Sequence, residues 1–309
     1  MGTACGLMFH HFTGQGHARG QGAIDADEFR RLLLHVGPRN ILPAEEFLTR
    51  HVQGTLASQH TCLSFDDNLR CQYDVALPVM RELGLTAFWF VYTSVLQGRP
   101  ERLELYRQFR TQYFTDVEAF YDAFFKRLHL LPDAGRLLAQ LDRFVPGMYL
   151  AEYPFYTDND RRFRFTRDEL LGPKAYESFM DAMIVEHGVR PTELAGGLWM
   201  DEACLEQLHH EGHVIGLHSH THPTRLARLS PAEQRQEYEQ NFYLLAALLG
   251  ERPRSMSHPC NSYDTHTLHI LRDLGVQLGF CSNAAAPGTP LEMPRDDHAN
   301  VLRDIHRAA

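Results

Sequence analysis

The sequence predicts an α/β fold: a parallel sheet, open or closed into a barrel, interrupted by a mostly helical insertion. Three observations predict it. Strand-like apolar runs alternate with amphipathic helical stretches over both ends of the chain. Two polar motifs, Ser64-Phe65-Asp66-Asp67 and His218-Ser219-His220-Thr221-His222-Pro223, each follow such a run. Residues just past the C-terminal ends of parallel strands converge on one mouth of an α/β barrel. From about residue 98 to 196 the strand rhythm stops and helical patterns take over.

In chain order, Cys5–Phe9 reads as the first strand. Asp25 and Glu28 form a capping-box pattern ahead of Phe29, Leu32, Leu33 and Val36, with Gly37 as the stop. A second helix starts at Pro43 and runs through Phe47 toward Gly54; the Thr61–Phe65 strand follows. A helix through Val75, Val79 and Leu83 ends at Gly84, and 86–91 is a continuous apolar strand of the kind buried on both faces. The insertion carries helical patterns at 115–128, 133–144 and 174–187, with an aromatic and arginine-rich segment at 151–165 between them. Helix 201–208 leads through Gly212 to the strand Val214–Leu217. Ser230-Pro231-Ala232-Glu233 supplies an N-cap, a proline at the first position and a reciprocal glutamate, starting a helix that stops at Gly250. A short strand at 255–258, a helix at 265–274 stopped by Gly275 and a strand at 278–281 complete the pattern. The expected organisation is a barrel of residues 1–97 and 197–309, with 98–196 as a helical insertion packed near its mouth.

Composition narrows the function. With 309 residues and 44% hydrophobic content the chain can bury a sizeable core. A net charge of -9 and a pI near 6.1 argue against nucleic acid as a partner. No apolar run reaches the ~18 residues of a transmembrane helix. Residues 1–12 lack the basic and long apolar regions of a signal peptide. None of the six cysteines form a C-x-x-C pair. Free thiols and no export signal predict a cytoplasmic protein.

The chemistry lies in the two motifs. Two histidines plus one carboxylate form a ligand set for a divalent transition metal that leaves a position open for water. The second aspartate is then free to act as a base, so the residues suggest a metal-assisted hydrolase. Most of the nineteen histidines are scattered, and a scattered histidine is more often a surface or supporting residue than a ligand.

At these residues the chain resembles the polysaccharide deacetylase family, the NodB-homology enzymes also called carbohydrate esterase family 4. Leu7-Met8-Phe9-His10 resembles the opening strand and histidine of one subgroup, and 63–91 the first catalytic motif with its helix and next strand. The segment from Glu211 to Pro223 resembles G-H-x-I-G-x-H-[ST]-x-x-H-P, and Ser257-His258-Pro259-Cys260-Asn261-Ser262-Tyr263 sits where the third motif is expected.

The resemblance implies a distorted parallel (β/α) barrel of the NodB type with one metal at its C-terminal mouth. It implies Asp67, His218 and His222 as metal ligands and Asp66 as the general base. Zinc suits the set; cobalt, nickel, iron and manganese accept it as well. Three departures stand out. Asn68-Leu69 replaces the usual Gly-Pro, Ser257 stands where an arginine often orients the base, and the late Leu-x-His-Asp motif has no clear copy. In its place is Met293-Pro294-Arg295-Asp296-Asp297-His298, after the last expected strand. Arg295 is the candidate replacement arginine, and His258 or His298 the candidate acid. His10 and Pro259 are candidate substrate-binding residues, His10 being read equally well as site lining or core. His213 and His220 read as solvated or supporting residues.

Arg161, Arg162, Arg164 and Arg167 read either as a solvated face or as a clamp for an anionic substrate group. Tyr153, Phe155, Tyr156, Phe163 and Phe165 either stack on a sugar or bury the insertion; Arg162, Arg164 and Tyr156 are the substrate-binding candidates among them. The expected function is removal of an N-acetyl or N-formyl group from a small-molecule or lipid-linked amino sugar, such as an O-antigen-type surface-polysaccharide precursor. The rival readings are a metal-dependent hydrolase of a cyclic amide and a carbohydrate-binding protein without catalysis.

Overall fold

The structure, a computed structural model, describes residues 5–151, 156–282 and 288–308. The chain divides into two compact units, Met1–Glu101 with Gly197–Ala309, and Arg102–Gly196.

The first unit holds seven parallel strands among the described residues: β1 (Cys5–Phe9), β2 (Thr61–Phe65), β3 (Ala87–Val91), β4 (Val214–Leu217), β5 (Ser255–Ser257), β6 (Leu278–Phe280) and β7 (Arg295–Asp297). Their order is β6-β5-β4-β3-β2-β1-β7, so strand neighbours follow the chain except where β7 joins β1. The ring is nearly closed: Cys281 N donates to Met293 O at 2.9 Å and Met293 N to Gly279 O at 2.8 Å, tying β6 to the segment that leads into β7. This is the distorted (β/α) barrel that the motifs imply. β7 is a correction to the element reading, which ends the sheet at β6. A three-residue strand of Arg-Asp-Asp offers no apolar run to recognise.

Two glycines make the ring possible. A Cβ on Gly216 in β4 would lie 2.6 Å from the Phe90 ring, and one on Gly279 in β6 would lie 2.5 Å from the Leu291 carbonyl oxygen. Strand residues alternate between two cores. Leu63, Phe65, Trp89 and Val91 pack beneath the helices with Phe9, Phe12 and Phe29, whereas Cys62, Phe88, Phe90 and Phe280 share a second cluster with Phe47 and Leu278. The helices begin and end where capping chemistry places them. Asp25 and Glu28 close the expected capping box of helix Ala26–Val36, and Ser230 and Glu233 that of Pro231–Leu249.

The second unit is helical. Helices Val117–Leu128, Ala134–Asp142 and Gly172–Glu186 fall on the expected patterns. Helix Arg102–Tyr113 and helix Asp158–Phe165 are additions, the latter capped by Thr157 and Asp160 inside the segment read as a break. Phe109, Phe120, Phe124, Phe163 and Phe179 form the centre of its own core.

Candidate active site

Every strand of the barrel points the same way, so the loops after β1, β2, β4 and β5 meet at one end. The backbone is unusual there. Asp67, Asn68, Ser219, His222, Cys260 and Asn261 all have positive φ, between 49° and 78°. Strain of this kind persists only where the surroundings hold it, and it gathers at functional sites. Asn68 occupies the left-handed conformation, at φ 56°, that the usual glycine would adopt freely and asparagine tolerates. It is held by Met200, whose N–H donates to the Asn68 carbonyl at 3.0 Å.

Asp67, His218 and His222 come together. Asp67 Oδ1 lies 3.4 Å from Nε2 of each histidine, and one candidate ligand atom from each residue falls within 4.8 Å of the others. His218 Nδ1 donates to the Ser257 carbonyl at 2.9 Å, which leaves the Nε2 lone pair facing Asp67. Asp67 Oδ1 is buried and accepts no hydrogen bond. A buried, unsatisfied carboxylate oxygen beside two imidazole Nε2 atoms is a donor set that fits a divalent cation. The loop is braced from helix Pro231–Leu249: Asn241 Oδ1 accepts from His218 N–H at 2.9 Å, and the Glu237 carboxylate accepts from His220 N–H and Thr221 N–H at 2.9 and 2.8 Å.

Asp66 is wired differently. Arg295 reaches it from β7 with both prongs, Nη1 to Oδ1 at 2.7 Å and Nη2 to Oδ2 at 2.8 Å. Ser257 Oγ accepts from Arg295 Nη2 at 2.7 Å and donates to Asp66 Oδ2 at 3.1 Å. Arg295 also donates to Ser64 Oγ and to the Cys281 carbonyl, so its fork is fixed on every side. Burial alone would raise the Asp66 pKa; the Arg295 guanidinium, with His218 and His10, outweighs it and holds the carboxyl below its usual range. At Asp67 burial is likewise outweighed by His218, His222 and His10, and its carboxyl is held well below the usual range.

His10 follows β1 with Nε2 3.9 Å from Asp66 Oδ2 and 4.0 Å from Asp67 Oδ2, and it is partly open to solvent. Gln72, which the motif reading passed over, ties this edge together: its Nε2 donates to the carbonyls of Asp66 and His10 at 2.6 and 2.8 Å. No sequence signal marks it; its burial is seen only in the fold. His258 is buried, with Nε2 2.8 Å from the Leu291 carbonyl and its ring stacked on Tyr263. Burial pushes its pKa down to about 3. His298 Nε2 lies 3.2 Å from the Gly22 carbonyl, its ring stacks on Phe9, and burial lowers its pKa also. Pro259 is buried in the turn after His258. His213 and His220 are both buried: His213 Nδ1 accepts from Ala87 N–H at 3.0 Å, and His220 Nδ1 lies 2.9 Å from Thr93 Oγ1.

In the second unit the arginine run separates. Arg161 is buried and donates to the carbonyls of Tyr149 and Tyr156. Arg167 pairs with Asp168 at 2.6 Å. Arg164 lies over the Tyr156 ring at 4.1 Å, and Arg162 is half-buried on the same helix. Phe163 belongs to the core and Phe165 stacks on Phe144. Tyr153 and Phe155 lie outside the described residues.

The mouth of the parallel barrel thus gathers two differently wired carboxylates and two histidines. Residues 168–279, about a third of the chain, match the family model described as polysaccharide deacetylase. The matched stretch contains both histidines and the third motif but not the paired aspartates. No curated protein sequence matches this chain. Among solved structures, the deacetylase PplD of Streptococcus pyogenes, in complex with acetate, has a TM-score of 0.55 at 16% identity, covering 97% of this chain and 96% of its own. IcaB from Ammonifex degensii has a TM-score of 0.55 at 13% identity, covering 98% and 97%. A de-N-acetylase from Aggregatibacter actinomycetemcomitans has 0.53 at 10%, covering 97% and 98%. At these identities the likeness is one of fold. No helix among the described residues is long and apolar enough to cross a membrane.

Proposed function

We propose that this chain is a metal-dependent hydrolase that removes an acetyl or formyl group from the nitrogen of an amino sugar, in a surface polysaccharide or its nucleotide- or lipid-linked precursor. One observation carries the reading: two adjacent carboxylates with opposite wiring, Asp67 facing His218 and His222 and Asp66 clamped by Arg295. Asp67, His218 and His222 would hold the ion, and zinc, cobalt, nickel, iron or manganese suits such a set. When bound, a divalent ion polarises the acyl carbonyl and acidifies a water. Asp66, kept ionised and oriented by Arg295, takes the proton from the attacking water. The amine leaves only if it is protonated. His10 has its Nε2 within 4.0 Å of both carboxylates, whereas His258 and His298 each place Nε2 on a backbone carbonyl. The acid role therefore goes to His10, with His258 and His298 supporting the walls around the base.

The test is a panel of N-acetyl and N-formyl amino sugars, free and nucleotide-linked, beside small cyclic amides. Wild-type protein releases acetate or formate from a sugar. Asp66→Asn and His10→Ala lose about 10²-fold or more while retaining metal. Turnover of cyclic amides only would transfer the same machinery to the second substrate class. A metal-loaded protein that binds sugars without hydrolysing any would favour a carbohydrate-binding role.

A further inference from the structure

The two strained turns that carry the candidate ligands are held by different parts of the barrel. The turn after β2 is held by residues 198–200. Arg70 N–H donates to the Leu198 carbonyl at 2.9 Å, Met200 N–H to the Asn68 carbonyl at 3.0 Å, and the Asn68 amide nitrogen Nδ2 to the Met200 carbonyl at 3.3 Å. Leu69 and Trp199 thus face each other across an antiparallel bridge. The turn after β4 is held by the end of β3: Ser94 N–H donates to the His220 carbonyl at 2.9 Å, and Thr93 Oγ1 lies 2.9 Å from His220 Nδ1. Asp67 and Asn68 in the first turn, and Ser219 and His222 in the second, all have positive φ, so each turn depends on its surroundings to keep its shape. Three ligand atoms converge on one ion only if the two turns also keep a fixed spacing.

A side-chain hydrogen bond joins the two supports. Trp199 Nε1 donates to the Tyr92 hydroxyl oxygen at 2.5 Å. Tyr92 directly follows β3 and is fully buried; its ring lies 5.2 Å from the His222 ring and 6.4 Å from the His218 ring. Trp199 is therefore bound to the Asp67 turn through its backbone and, through Tyr92, to the wall beside His222. The chain's other tryptophan gives the contrast. Trp89, at the centre of the same core, is fully buried, and its Nε1 has no hydrogen-bond partner among the described residues. Trp199 is only half-buried at the margin of that core, yet its N–H is directed to one acceptor.

We propose that Trp199 is a positioning residue for the metal centre: its N–H, received by Tyr92, fixes the spacing between the Asp67 turn and His222. Neither Trp199 nor Tyr92 supplies a ligand atom, so the pair acts by preorganising the three atoms that do. The proposal rests on the reading of Asp67, His218 and His222 as the ligand set, and it adds two residues that lie in neither of the ligand-bearing motifs. Its readout is metal affinity and uses no hydrolysis, so absence of deacylation leaves it standing.

The test is the zinc affinity of the metal-free full-length protein, measured by competition with a chromophoric chelator. Wild type, Trp199→Phe, Tyr92→Phe and the double variant form a cycle, and urea unfolding of the same metal-free proteins checks that each is folded under the assay conditions. Each single variant is expected to bind zinc about tenfold more weakly, and the double variant no more weakly than either single one. Two unrelated packing defects would instead multiply, so this non-additivity is a result that a merely structural role does not give. Tyr92→Phe removes one oxygen and keeps the ring, so it reports even if Trp199→Phe fails to fold. Unchanged zinc affinity in Tyr92→Phe, or losses that multiply in the double variant, would overturn the proposal and leave the ligand set standing. A wild type that binds no zinc, cobalt or manganese would overturn the ligand set itself, and the proposal with it.

Discussion

Arg295 grips Asp66 from across the barrel by two parallel hydrogen bonds of 2.7 and 2.8 Å, with side-chain exposures of 0% and 4%. The usual third-motif position of such an arginine is Ser257, and here Ser257 serves both partners with its hydroxyl. Arg295 thus reaches Asp66 from β7, a different strand from the one that carries Ser257.

Replacing it should separate orientation from charge. Arg295→Lys retains a cation but loses the fork, so turnover is expected to fall about 10- to 100-fold with metal content unchanged. The weaker pairing raises the Asp66 pKa from its depressed position. A base works only when ionised, so activity should be lost at a higher pH on acidification than in wild type. Arg295→Met leaves a buried carboxylate unpaired and should cost about 3–5 kcal/mol in urea unfolding.

Asn68 tests whether the backbone strain at the mouth is tolerated by residue type. At φ 56° glycine is unstrained, and Asn68→Gly should change stability by no more than about 1 kcal/mol and keep metal binding. Asn68→Val forces a β-branched residue into the left-handed region, at about 1–3 kcal/mol. Because Asp67 is its neighbour and shares the turn, Asn68→Val should also weaken metal affinity. Equal behaviour of the two variants would show that the turn is not under strain.

His213 makes acid sensitivity local. Buried, it keeps Nδ1 as an acceptor for Ala87 N–H, and burial lowers its pKa to about 4 from an ordinary value near 6.5. Between those pH values the unfolded chain binds the proton and the folded chain does not. Stability from this group is therefore present above about pH 6.5 and is lost as pH falls toward 4, by about 3 kcal/mol at most. His213→Gln should flatten that part of the stability–pH curve measured by denaturant unfolding. An unchanged slope would remove His213 as the cause.

The residues that were legible in the sequence are those whose signal is local. β1 to β4 and β6 are mostly apolar runs, and Asp66-Asp67 and His218 to His222 sit within short motifs. β7 was not legible, because Arg295-Asp296-Asp297 gains its strand pairing from β1 rather than from its own composition. Arg295 could be suspected only from its position in the chain; that its guanidinium fills the barrel against Phe90 and Phe280 needed the closed ring. Gln72, Asn241 and Glu237 act through backbone groups of distant loops, and nothing in their neighbourhood marks them. The arginine run reads as one feature in sequence, yet helix geometry sends Arg161 into the core and Arg164 onto Tyr156.

The central claim is that Asp67, His218 and His222 hold one divalent ion. Elemental analysis of purified protein, wild type beside His218→Ala, tests it most directly. About one divalent metal per chain in the wild type, lost in the variant, is the expected result. No metal in either protein after reconstitution with zinc, cobalt or manganese, or equal metal in both, would contradict it.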